Sequence, residues 1–171
     1  MPFIFYKKFI VQKTKSTYGP RSWGIPLYLA ASLVPAPEYV CFLKSFSDPE
    51  GRFVMVDIKL ESKILTLVNI YAPNEDKPTF FQNVLNQLLC FDCSEIILGE
   101  DFNLALDVQK DKKGGRPVTH NNSLKEVKHI SNVLDFIDIW HCFTPEAKRF
   151  TRRRRKPDIH CRLDFFWQAL A

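Results

Sequence analysis

The 171-residue chain is 46% hydrophobic and 25% charged, the balance of a folded domain and not of a disordered chain. Its length suits one domain with a substantial core, and no apolar run approaches the roughly 18 residues of a membrane-spanning helix, so a soluble protein is expected. The 24 Lys and Arg against 19 Asp and Glu leave a net charge of +5, which favours polyanionic partners, nucleic acid among them.

Five cysteines (Cys41, Cys90, Cys93, Cys142, Cys161) in a chain able to fold without staples are expected as reduced, intracellular thiols. Cys90 and Cys93 form a CxxC, and His-Cys pairs stand at 141–142 and 160–161, but these spacings match no zinc module.

Residues 1–20 form a basic segment (Lys7, Lys8, Lys13, Lys15), and no acid occurs before Glu38. Transit peptides share this composition, but the scarcity of Ser and Arg and the lack of a helical face argue against one. Residues 24–29 and 39–46 read as short strands on either side of Val34-Pro35-Ala36-Pro37, and Asp48-Pro49-Glu50-Gly51 has turn chemistry. Residues 52–60 alternate as a strand, with Phe53, Met55 and Asp57 on one face and Val54, Val56, Ile58 and Leu60 on the other. A polar turn at Glu61-Ser62-Lys63 leads into a strand over 64–71, apolar on both faces as befits a central position, and the two strands form a hairpin.

After the loop at 72–77, Pro78 suits the first turn of a helix whose Phe80, Phe81, Val84, Leu85, Leu88 and Leu89 recur at helical spacing. A buried strand follows over 96–98. Residues 107–122 mix Lys, Asp, Gly and Pro and read as a long, mobile surface loop. Ser123-Leu124-Lys125-Glu126 has capping-box spacing ahead of a helix carrying Val127, Ile130, Val133 and Leu134. Residues 136–140 close that unit, and 162–167 form a last strand. Strands and helices mixed with a hairpin indicate a single α/β or α+β domain.

Two strand ends bring chemistry together in type: Asn69-Ile70-Tyr71-Ala72-Pro73-Asn74 and Leu98-Gly99-Glu100-Asp101-Phe102-Asn103. A carboxylate, amides and a phenol at adjacent strand ends suit a phosphodiester, the carboxylate orienting water and the amide and phenol steadying the anion. The plain structural alternative is that Tyr71 anchors its strand by the hydroxyl and Asp101 caps a turn. Arg152, Arg153, Arg154 and Arg155 with Lys156 fit a solvated basic loop or a loop that binds phosphates, and a nuclear-localisation run shares the latter's composition.

With Asp138-Ile139-Trp140, Asp48-Pro49-Glu50-Gly51 and Arg162-Leu163-Asp164-Phe165-Phe166 in the same order, these motifs resemble the endonuclease/exonuclease/phosphatase superfamily. Within it the chain looks most like the apurinic-type endonuclease domain of LINE-type (non-LTR) retrotransposon proteins, over roughly residues 24–166. The resemblance implies an α/β fold, a two-sheet mixed β-sandwich flanked by helices, here partial and spanning 21–171. It implies a magnesium-dependent endonuclease acting on DNA; neither a membrane nor an obligate protein partner is expected from the sequence. By that resemblance Tyr71 contacts the scissile phosphate, Asp101 activates the water and Asn103 holds phosphate and Asp101. Asn74 and Thr151 contact DNA, and Asp164 orients a catalytic histidine.

The departures are specific. The family's early Asn and metal-binding Glu have no counterpart before Asn69 and Glu38, and no Ser-Asp-His follows the Asp164 strand. None of His120, His129, His141 and His160 stands in the context of that histidine, and Glu100 replaces a glycine usual in the family. A truncated endonuclease domain, recognisable but impaired, is therefore expected. The alternatives are a catalytically inactive nucleic-acid-binding remnant and a phosphoesterase for another phosphate ester, such as a phosphoinositide.

Overall fold

The computed structural model describes residues 40–91, 95–115 and 120–169. The basic segment 1–20, the strand expected at 24–29 and Cys93 lie outside the described residues.

Three antiparallel strands come first: β1 (Val40–Ser47), β2 (Phe53–Leu60) and β3 (Lys63–Tyr71). The β1–β2 connection closes on Asp48, whose carboxylate accepts from the Arg52 N–H at 3.0 Å while Gly51 turns at φ +67°. The expected hairpin of β2 and β3 forms, with Leu60 opposite Lys63. Helix α1 (Pro78–Leu88) then crosses to β4 (Glu95–Asp101), which pairs parallel with β3. The last strand, β9 (Asp164–Ala169), inserts between β4 and β6 (Phe136–Asp138), giving a six-stranded sheet in the order β1-β2-β3-β4-β9-β6.

Alternation along these strands sends Phe53, Met55, Val68, Ile70, Ile96, Leu98, Phe165 and Trp167 into one core with α1 and α3 (Asn121–Val133). Aromatic rings run through it in continuous contact, from Phe46 through Phe53, Phe80, Phe81 and Phe102 to Phe165, Trp167 and Phe136, with centroids 5.1–6.4 Å apart. Asp57 shares this face, and the Thr66 hydroxyl directly opposite donates to it at 2.6 Å, which satisfies the buried carboxylate. Leu89 and Val133, read from the sequence as parts of apolar faces, are exposed at the ends of their helices.

The described residues of 107–122 hold more structure than a mobile loop. Asp107 caps a short helix α2 (Val108–Asp111) by accepting from the Gln109 and Lys110 N–H groups, and β5 (Lys112–Lys113) follows. Helix α3 starts two residues before Ser123, and no side chain of its own caps it. Asp76, from the loop after β3, accepts from the backbone N–H groups of Asn122 (3.3 Å) and Ser123 (2.7 Å). A cap supplied from 46 residues upstream leaves no local motif to read. The chain then runs through β6 and α4 (Ile139–Phe143) into the hairpin of β7 (Arg152–Arg154) and β8 (Ile159–Cys161). With β5, this hairpin makes a three-stranded sheet in the order β5-β8-β7. The mixed α/β architecture with two sheets and packed helices matches the expected fold class.

Candidate functional site

The sheet face turned away from the helices carries Asn69, Tyr71, Gly99, Asp101, Asp164 and Phe166, because each alternates with a core residue of the same strand. Register does the rest: Tyr71 stands opposite Asp101, and Asp101 opposite Asp164. Three of the expected catalytic residues therefore lie abreast across three neighbouring strands, although Tyr71 and Asp164 are 93 positions apart in the chain. One row further in are Asn69, Gly99 and Phe166. A Cβ at Gly99 would fall 2.6 Å from the Phe166 ring, so glycine is what allows that ring to lie over the strand.

Asn103 turns the chain beyond β4 at φ +51°, a conformation that asparagine tolerates. Its backbone N–H donates to the Asp101 carboxylate at 2.9 Å, and its side-chain amide donates to the Ala72 carbonyl at 2.6 Å. Asn103 thus holds Asp101 through its backbone, while its side chain ties the end of β4 to the end of β3. Glu100 takes φ +96°, strained for any residue but glycine, at the position where the resemblance places glycine. Thr151 accepts from the N–H groups of Leu163 (3.0 Å) and Asp164 (3.4 Å), so its hydroxyl fixes the entry of β9. Arg52 lies over the Tyr71 ring, 5.6 Å from its centroid.

Beside this row opens a cleft of about 240 Å³ lined by Asn74, Asn103, His120, Arg152 and Arg154, with Leu104, Ala105, Ile159, Cys161 and Leu163 as its apolar part. It joins the end of the Tyr71–Asp101–Asp164 row to the basic hairpin. Strand alternation splits the arginine run: Arg152 and Arg154 line the cleft, whereas Arg153 pairs with His160 on the opposite face. Arg155 follows the strand and does not line the cleft. His120, immediately before α3, reaches the same cleft as Asn103, which its sequence context did not signal.

Sequence reasoning also missed the polar hub beneath the site. Arg162, 3% exposed, donates to Asp138 and lies 3.5 Å from Asp111, and its guanidinium stacks on Trp140 (4.9 Å) and Phe165 (4.2 Å). His141 lies within 3.1 Å of Asp138. Burial pushes the Asp111 carboxyl above the ordinary carboxylate range, against the hydrogen bond from the Asp107 backbone and the nearby Arg162 and His141 charges. The signal for this hub was Arg162 opening an apolar strand, since a buried guanidinium demands acidic partners.

Asp101, Asp164 and Asn69 place side-chain oxygens on one face of the sheet, and the Asn69 side-chain oxygen is buried without a hydrogen-bond partner. Such oxygens suit a hard divalent cation. Among the described residues no three His, Cys, Asp or Glu side chains cluster as a complete ligand set. Cys41, Cys90, Cys142 and Cys161 are free thiols. No helix among the described residues is long and apolar enough to cross a membrane.

This architecture is the endonuclease/exonuclease/phosphatase fold. The chain is similar to the Xenopus laevis APE2 catalytic domain (20% identity, TM-score 0.56, 71% of this chain and 47% of that one). It is similar also to humanized D. rerio TDP2 (18% identity, TM-score 0.52, 78% and 54%). A third similar structure is the 3′ phosphatase NExo from Neisseria bound to product DNA hairpin (13% identity, TM-score 0.53, 75% and 59%). The chain spans about half the length of these structures. No protein-family model matches it.

Proposed function

We propose that this chain is a retrotransposon-derived, divalent-metal-dependent DNA endonuclease domain that binds the duplex in the cleft beside β4. The row Tyr71–Asp101–Asp164 carries this reading, since it aligns a phenol and two carboxylates beside a cleft lined by Arg152 and Arg154. Arg152 and Arg154 bind backbone phosphates, and Asn74 and Asn103 offer amides along the same wall. Asp101, fixed by the Asn103 N–H, orients the attacking water, and Tyr71 donates to the phosphate. Magnesium held by Asp101, Asp164 and the Asn69 oxygen would supply electrostatic stabilisation of the phosphate. The DNA bound to NExo, which shares the fold, supports a nucleic-acid substrate, and the LINE-type motifs support the origin.

Residues 1–37 contain no Glu or Asp, and no Ser-Asp-His occurs in the sequence. The 171-residue polypeptide therefore cuts slowly, being short of the ligand and the histidine that the resemblance places at those positions. The same shortage favours a second reading, a module that binds DNA without cutting it. Nicking of supercoiled plasmid decides between them. Slow nicking with magnesium, abolished by chelator and reduced on the order of 100-fold by Asp101→Asn, supports the endonuclease. Salt-sensitive binding with no nicking supports the second reading, and nicking untouched by Asp101→Asn contradicts the assigned centre.

A further inference from the structure

The three-stranded sheet has a second face, which the cleft does not use. Arg152 and Arg154 point to the cleft with Ile159 and Cys161, so the residues between them, Arg153 and His160, face outward. Lys113 of β5 pairs with His160 from the other side, so Lys113, His160 and Arg153 form one row across three strands. Two strand spacings put the outer two cations about 10 Å apart at the backbone, with the imidazole between them. Lys113 and Arg153 are exposed, and neither pairs with a carboxylate among the described residues.

The middle of the row is aromatic. Phe150 meets the His160 ring edge to face, with centroids 5.4 Å apart, and Asp158 holds His160 Nε2 at 2.9 Å. Among the described residues the Asp158 carboxylate is the one acid bonded to the row, and its bond fixes the orientation of the imidazole. Gly114 makes the arrangement possible: at φ +74°, a Cβ there would sit 2.3 Å from the Asp158 carbonyl oxygen. Only glycine lets β5 end against the β8 turn and bring Lys113 into register.

We infer that this outward face is a second nucleic-acid surface, one that takes a single strand. Cations flanking a ring pair match alternating phosphates and bases, with the rings stacking a base and Lys113 and Arg153 holding the phosphates. A duplex keeps its bases stacked inside and would leave Phe150 and His160 without a partner, whereas a single strand exposes a π-face at every base. The inference rests on the reading of the chain as a nucleic-acid-binding protein, but it involves neither the cleft nor the catalytic row.

Fluorescence anisotropy with a labelled oligo(dT) and a labelled blunt duplex tests it, using the whole 171-residue chain and checking each variant's fold by circular dichroism. Lys113→Ala with Arg153→Ala is expected to weaken oligo(dT) binding on the order of tenfold and duplex binding less than about threefold. Arg152→Ala with Arg154→Ala is expected to show the opposite preference. Phe150→Leu should weaken oligo(dT) binding about fivefold while leaving its salt dependence unchanged, because stacking releases no counterions. Equal losses on both probes, or unchanged oligo(dT) binding in the Lys113/Arg153 variant, would overturn the inference. Wild-type binding to duplex but not to oligo(dT) would overturn it and leave the proposed function standing. Binding to neither would remove both.

Discussion

The six-stranded sheet holds its site residues over a continuous aromatic core, with Phe53, Phe102 and Phe165 fully buried. The three-stranded sheet has almost no interior, and Arg152, Arg153 and Arg154 stand exposed along its edge strand. Catalytic groups need fixed relative positions, and strands braced by packed rings supply them. Phosphate-binding groups need charge and reach more than rigidity, and an exposed hairpin supplies those. The two sheets meet where Thr151 accepts from the Leu163 and Asp164 N–H groups and where Arg162 bridges Asp111 and Asp138. Under the proposed function, the difference assigns cutting and holding to separate parts of the chain, joined through β9.

That division breaks most visibly in the core. Phe102 contacts Phe81, Phe165 and Trp167, and Phe102→Ala should cost roughly 3–5 kcal/mol in urea denaturation while lowering cutting as well. A loss below about 1 kcal/mol would mean that the rings do not brace the large sheet.

A smaller effect sharpens the picture at the end of β4. Glu100 takes φ +96°, so Glu100→Gly should relieve backbone strain and stabilise the fold by about 1 kcal/mol. The same denaturation measurement checks it, and destabilisation would mean that the contacts of the Glu100 side chain outweigh the strain.

The smallest effect concerns the loop between β3 and α1. Hydrogen bonds from the Ser123 and Asn122 backbones hold the Asp76 carboxyl below the ordinary carboxylate range. A lowered folded pKa contributes stability that is present above the unfolded pKa of about 3.9 and is lost as pH falls through the folded value. Thermal midpoints taken from about pH 6 down to pH 3 should therefore fall more steeply in the wild type than in Asp76→Asn, in keeping with carboxylate linkage. Parallel curves would show that the cap does not depend on charge.

Much of this was legible in the sequence because it was local. Alternation located β2 and β3, helical spacing located α1, Tyr71, Asp101 and Asn103 stood out as polar groups at strand ends, and Asp164 was marked only by the family resemblance. Their lateral alignment was not legible, since it depends on β9 inserting between β4 and β6, a pairing that no local pattern encodes. The arginine run could be read as basic, but only its pairing with β8 divides Arg152 and Arg154 from Arg153. The start of α3 was misplaced because its cap comes from Asp76, and Asp111 was read into a mobile loop although it is 1% exposed beside Arg162. In each case the deciding partner is distant in the chain.

The most direct test of the division between sheets measures binding and cutting on the same DNA, in magnesium, for two variants. Asp101→Asn should bind plasmid within about twofold of wild type yet nick it on the order of 100-fold more slowly. Arg152→Ala with Arg154→Ala should flatten the salt dependence of binding by about two in logarithmic slope and recover the wild-type nicking rate at saturating protein. If the arginine variant stays slow when saturated while Asp101→Asn cuts normally, the roles of the two sheets are reversed and the account is wrong.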